Sequence, residues 1–345
     1  MTRGLVNAIW FGRGPLAGAA RTALWPAAAA YRAATALRNR RYDRGASAVE
    51  RGPIPAVAVG NLTVGGTGKT PVAAWLAAEL AARGARPAIV LRGYGADEPL
   101  VHERLNPGVP VVVSPDRVAG VLRAASLGAT AAVLDDAFQH RRAARVADLV
   151  LISAERGLTG ARLLPAGPYR ELPAALRRAT LVVVTRKTAS AEHAEAVLRD
   201  AERYAGKPGA VMSLLPGALI PVAGGDPVPL GALAGRTVLL ATGVGEPDLV
   251  ASQLSAAGAE VRLRAFADHH AFTDAELAAL AGEARGAEYA VCTLKDAVKI
   301  GARWPGPAPL WYVSQTVTVE RGAALLEAVF ASMLAAITEN PSTAG

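Results

Sequence analysis

The eight residues TVGGTGKT at 63–70 constrain this chain more than any other stretch. They follow IPAVAVGNL, an apolar run that reads as a buried strand, and precede an Ala-rich segment that reads as a helix over about 71–83. Strand, glycine loop and helix in that order make a phosphate cradle. Successive backbone N–H groups curl around phosphate oxygens, and the helix N-terminus adds the positive end of its dipole. The pattern is GxxxxGK[ST], with Thr63 at the first glycine position and extra glycines at Gly65 and Gly66. Thr63, Val64, Gly65, Gly66, Thr67, Gly68, Lys69 and Thr70 are therefore the expected nucleotide contacts. Lys69 would reach the β- and γ-phosphates, and the Thr70 hydroxyl would ligate Mg2+.

The residues that follow repeat the alternation. RPAIVL, VPVVVS, TAAVLDD, ADLVLIS and ATLVVVTR are short β-rich runs, with DRVAGVLRAAS a helix among them. Such alternation predicts an α/β fold: a P-loop NTPase-like parallel sheet with helices on both faces. TAAVLDD ends in Asp135 and Asp136, at the strand end where a phosphate-bound Mg2+ needs one or two carboxylates. Adjacent strand residues point to opposite faces, so one acid can hold the metal while the other orients water or a neighbour. A helix cap with a solvated partner is the plainer alternative for the two acids.

Around 206–235 the chain turns rich in Gly and Pro and reads as a hinge. A smaller α/β unit follows, including TVLLATGVG, a helix opened by Thr273 as N-cap, YAVCTLKD and a closing helix over about 320–336. The expected division is a cationic segment at 1–44, a nucleotide-binding domain at 45–210 and a smaller α/β domain at 211–345. Asp97, in RGYGADEPL, and His269, in FADHHAFT, fall in loops of different units. Singly they read as a turn acid and a structural histidine. Facing each other across a cleft, they would supply a base for a hydroxyl nucleophile.

Charge locates a surface. The 345 residues carry 37 Lys+Arg and 29 Asp+Glu, a net of +8. Residues 1–44 hold eight of those arginines and a single acid, Asp43, so the rest is nearly neutral. A neutral body argues against nucleic acid as partner and favours an anionic lipid surface for the segment. Over 16–37 an amphipathic helix fits, with Leu16, Ala20, Leu24, Ala27 and Tyr31 on one face and Arg21 and Arg32 opposite; Pro26 would kink or split it. No uncharged apolar run near the N-terminus reaches the 18 or so residues of a spanning helix, and Arg13 interrupts any secretory apolar core. One cysteine, Cys292, excludes a disulfide framework, and five histidines without HExxH spacing argue against a zinc enzyme.

In order, GNLTVGGTGKTP, RGYG with DEPL, DDAFQHRR, LLPAGPYRE, DHHAFT and TLKDAVK resemble the tetraacyldisaccharide 4′-kinase family, the lipid A 4′-kinases. The resemblance implies transfer of the ATP γ-phosphate to the 4′-hydroxyl of a lipid-linked disaccharide 1-phosphate, with ATP and Mg2+ as cofactors. It implies a peripheral, monotopic enzyme on the cytoplasmic face of the inner membrane. It carries over Lys69 and Thr70 as nucleotide and metal contacts, Asp135 and Asp136 as metal and active-site acids, and Asp97 with His269 as a catalytic pair. Ala137 and Leu294 stand where the family usually has Gly and Glu, and only Gly95 and Ala96 separate the RGY tripeptide from Asp97. Against a GTPase or ATPase switch of the metallochaperone kind, neither TRK at 185–187 nor TLKD at 293–296 is the [NT]KxD that guanine recognition needs.

Overall fold

The computed structural model describes residues 3–93, 95–158 and 160–339. Tyr94 of the RGYG motif and the terminal residues 340–345 lie outside the described residues. Three helices open the chain: α1 (Arg3–Phe11), α2 (Pro15–Ala23) and α3 (Trp25–Asp43). The first unit alternates β1 (Ala56–Asn61), α4 (Lys69–Ala82), β2 (Pro87–Leu91), α5 (Asp97–Leu105), β3 (Val111–Val113), α6 (Arg117–Ser126), β4 (Ala131–Asp135), β5 (Ala147–Ser153), β6 (Leu181–Arg186) and α7 (Ala191–Ala205). Then follow β7 (Ala210–Pro221), β8 (Val228–Pro229), β9 (Thr237–Thr242), α8 (Pro247–Ala256), β10 (Glu260–Ala265), α9 (Asp274–Ala284), β11 (Tyr289–Thr293), α10 (Leu294–Ile300), β12 (Leu310–Arg321) and α11 (Ala323–Thr338).

All these strands join one sheet, ordered β10-β9-β11-β12-β7-β6-β5-β1-β4-β2-β3, with β8 beside β7. From β7 to β3 every pairing is parallel, and from β10 to β12 likewise, but β12 and β7 run antiparallel. β6 pairs with residues 210–213 of β7 and the start of β12 with 219–221, so the second set of strands is staggered beyond the first and points back at it. The C-terminal edges of the two sets face each other, and such edges are where open α/β sheets bind ligands.

Within the Gly/Pro-rich stretch read as a hinge, residues 210–221 and 228–229 are strand. β7 pairs with β6 through its first residues and with β12 along its length. A register shift opposite 217–218 accommodates Pro216 and Gly217, where a regular ladder would need the missing N–H. The closing helix differs from expectation too. β12 carries the chain back across the sheet, so α11 packs Leu326, Val329, Phe330 and Met333 with Val57, Leu76 and Leu149 of the first unit. The second unit keeps its own core of Leu239, Phe272, Leu277, Cys292 and Tyr312.

At the N-terminus the helix breaks at Leu24, one residue before α3 begins, with Pro26 in the first turn of α3. The Arg21 guanidinium turns inward and donates to the carbonyls of Ile9 and Gly12, at 2.7 and 2.8 Å, satisfying the open end of α1. Leu16 is left 86% exposed and Trp25 68%. Trp10 Nε1 to Pro165 O (2.9 Å) and Asn39 to Glu171 (2.6 Å) dock the helices on the body. Among the described residues no helix is long and apolar enough to cross a membrane.

Candidate active site

The glycine loop lies between β1 and α4. Gly68, at φ 80°, forms the N-cap of α4, and a side chain there would also collide with Leu214 of β7. Two neighbouring segments hold the loop open. Thr63 bridges to Tyr169, and Val64 N donates to Pro168 O at 2.8 Å. Asn61 Nδ2 donates to the Thr67 hydroxyl (2.9 Å), and the Thr185 hydroxyl donates to Thr67 O (2.9 Å). Preorganised in this way, the first-turn N–H groups of α4 retain no intrahelical partner and are available to phosphate. Burial pulls the Lys69 ammonium below its ordinary value; Asp136 opposes that shift, while Arg170 and Lys295 add to it.

Asp135 and Asp136 diverge, as adjacent strand-end residues must. Asp135 is buried, with Oδ2 3.0 Å from His102 Nε2, and its Oδ1 is buried without a hydrogen-bond partner. Asp136 turns into the cleft at φ 50°. Arg170 grips it bidentately at 2.8 and 3.0 Å, and Lys69 Nζ is 3.8 Å away. Burial pushes the Asp136 carboxyl up, but Lys69 and Arg170 outweigh it, and the group titrates below its ordinary value.

Asp97 begins α5 and is almost fully buried. His269 reaches it from the loop after β10, with Nδ1 2.8 and 3.0 Å from the two carboxylate oxygens. Its ring stays partly exposed, so the pair opens to the cleft on the histidine side. Asp136 and His269 are the two non-glycine residues with positive φ among the described residues, and they lie on facing edges. Left-handed backbone costs a non-glycine residue about 1–2 kcal/mol, and such strain concentrates at functional sites. Asp296 of TLKD buttresses the histidine loop: it accepts from the Thr242 and Thr293 hydroxyls and from Gly243 N, and Gly243 O accepts from His269 N.

The structure thus brings the glycine loop, Asp135, Asp136 and the Asp97–His269 pair to one cleft. It adds residues to which the sequence reading gave no role. Arg170 lies in LLPAGPYRE, 34 residues from its partner Asp136. α10 lies against α5, and Glu98 on α5 is pushed up by burial and by Asp135, while Lys295 and His269 pull it down. Glu246, at the start of α8, crosses to Arg156 (2.6 Å) and Lys187 (3.3 Å), and Lys187 donates to Gly66 O at 2.7 Å. None of these pairs has a local signal; only the motif context of Arg170 and Lys295 could have flagged them.

Comparison with known proteins agrees with this architecture. A family profile described as tetraacyldisaccharide-1-P 4′-kinase matches residues 20–97 and 96–334. A tetraacyldisaccharide 4′-kinase of Anaeromyxobacter sp. (strain K) is 41% identical over 96% of each chain. One from Geobacter sulfurreducens is 35% identical, over 82% of this chain and 85% of its own. The solved structure of LpxK from Aquifex aeolicus in complex with ATP superimposes with a TM-score of 0.69 at 28% identity, over 90% of this chain and 99% of that one.

Proposed function

This chain belongs to the tetraacyldisaccharide 4′-kinase family, and on that premise we propose how its residues move the γ-phosphate of ATP to the 4′-hydroxyl of a lipid-linked disaccharide 1-phosphate. The loop 63–70 wraps the phosphates, and Lys69 neutralises the β- and γ-oxygens, with Arg170 and Lys295 adding to the positive field. Thr70 and Asp135 are the fitting holders of Mg2+. The Asp135 oxygen Oδ1 is buried and unpartnered, whereas Arg170 already engages both oxygens of Asp136. Bound there, Mg2+ would neutralise charge on the phosphate oxygens. Asp136 then fixes Arg170 and Lys69 in place.

The acceptor hydroxyl approaches from the cleft side of His269. Its oxygen attacks the γ-phosphorus, the bond to the β–γ bridging oxygen breaks, and ADP leaves with that electron pair. The hydroxyl proton passes to the Asp97–His269 pair. That contact carries the reading, because it joins an acid of one unit to a base of the other at the facing sheet edges. Exposed Leu16 and Trp25, with the arginines of 1–44 other than the inward-turned Arg21, support a peripheral seat on an anionic membrane, at the cytoplasmic face of the inner membrane where the acceptor lipid is presented.

The test is transfer of labelled γ-phosphate from ATP to a tetraacyldisaccharide 1-phosphate. The wild type should label the lipid, and folded Lys69→Ala should not. ATP hydrolysis at the same rate with and without acceptor, and no labelled lipid, would instead favour a nucleotide switch.

A further inference from the structure

His102 is fully buried in the second turn of α5, and its Nε2 meets Asp135 Oδ2 at 3.0 Å. Its Nδ1 is buried without a partner. A proton on Nδ1 would have nothing to bond, whereas a proton on Nε2 gives the carboxylate a donor, so the arrangement suits the Nε2–H tautomer. Arg117 Nη2 meanwhile donates to the backbone carbonyl of Asp135 at 3.1 Å. The aspartate is thus held at one carboxylate oxygen and at its main chain, and Oδ1 alone is left unpartnered.

We propose that His102 is a positioning residue for Asp135: it holds one carboxylate oxygen from inside the protein and keeps the other aimed at the magnesium–nucleotide side of the cleft. The inference rests on the metal role given to Asp135 above. The same helix carries Asp97 five residues earlier, about 7.5 Å along its axis. One rigid element therefore sets both the proton-accepting pair and the orientation of the metal-side carboxylate. Partners that orient a metal ligand in this way are worth about 10–100-fold in metal affinity.

Calorimetric titration of ADP, with Mg2+ and with EDTA and without acceptor, tests this apart from turnover. His102→Leu removes the donor, His102→Asn leaves it too short to reach, and His102→Gln keeps a donor of comparable reach. The Mg2+ concentration that half-maximally enhances ADP binding should rise about 10-fold or more in His102→Leu and His102→Asn. It should stay within about threefold of wild type in His102→Gln, with metal-free ADP affinity unchanged in all three. A magnesium response equal to wild type in His102→Asn, or in a folded His102→Leu, overturns the proposal. Equal loss of metal-free and magnesium-dependent binding in His102→Asn also overturns it, because that is the mark of a purely structural residue. A wild type whose ADP affinity ignores Mg2+ refutes the metal placement itself, and this inference with it.

Discussion

Gly95 gives the cleanest way to break the Asp97–His269 contact without touching either residue. Its φ is not in the left-handed region, so the backbone does not demand glycine there; space does. A Cβ at this position would lie well inside van der Waals contact with Asp97 Oδ1, 2.8 Å from His269 Nδ1 and 3.1 Å from its Cε1. The Asp97 side chain is only 2% exposed, so it cannot swing out into solvent. Restoring normal contact requires the two side chains to part by about 1 Å, which carries hydrogen bonds of 2.8 and 3.0 Å beyond useful range. Misplacement of a reacting group by about 1 Å costs on the order of 100-fold in rate, or about 2.7 kcal/mol of barrier. A positioned base contributes about 100- to 10,000-fold in all.

Gly95→Ala should therefore lower kcat for lipid phosphorylation by about 100-fold, with the ATP KM within about twofold, because the glycine loop is untouched. Introduced into Asp97→Asn, the same change should cost little more, since residues acting as one unit are not additive. The assay is steady-state transfer of labelled phosphate, with far-UV circular dichroism confirming the fold. A folded Gly95→Ala enzyme within threefold of the wild-type kcat would refute the claim that this contact takes part in the chemistry.

Two further outcomes follow from charge and exposure. Burial, and then Arg117 and Arg92, hold the His140 imidazole down at about 4. The unfolded chain therefore takes up a proton near pH 6.5 that the native state refuses until about 4, and stability falls as the pH drops between them. Between pH 7.5 and 5 that is worth about 2 kcal/mol; denaturant titrations should show this loss in the wild type and its absence in His140→Gln. In the N-terminal helices, Leu16→Asp combined with Trp25→Asp should cut cosedimentation with vesicles containing phosphatidylglycerol, without unfolding the body. Unchanged partitioning would remove these helices as the lipid contact.

What the sequence made readable was local. The strand–glycine loop–helix at 56–82 and the strand ending in two acids need only neighbours in the chain to form, and their chemistry follows from residue order. His102 carried no such signal. In DEPLVHERL it is a helix residue like any other, and its role depends on Asp135 arriving from 33 residues away. The destination of α11 was hidden for the same reason. Its apolar residues require a core but do not say which, and the choice is made by β12 crossing back beside β7.

That crossing also explains how two unrelated loops come to share a proton-accepting pair. A continuous parallel sheet would have put the ends of β4 and β9 on the same edge, side by side and many strands apart. The antiparallel pairing of β7 with β12 reverses the second set, so the loop after β10 faces the start of α5 and not open solvent. Pro216 and Gly217 lie in β7 just beyond its pairing with β6, and the ladder with β12 is irregular there. The first part of the stretch read as a hinge is thus a paired strand, and it sets the orientation in which His269 meets Asp97. Residues in β7 with no contact to nucleotide or acceptor should then influence kcat through the geometry of that pair, while leaving ATP binding to the loop at 63–70.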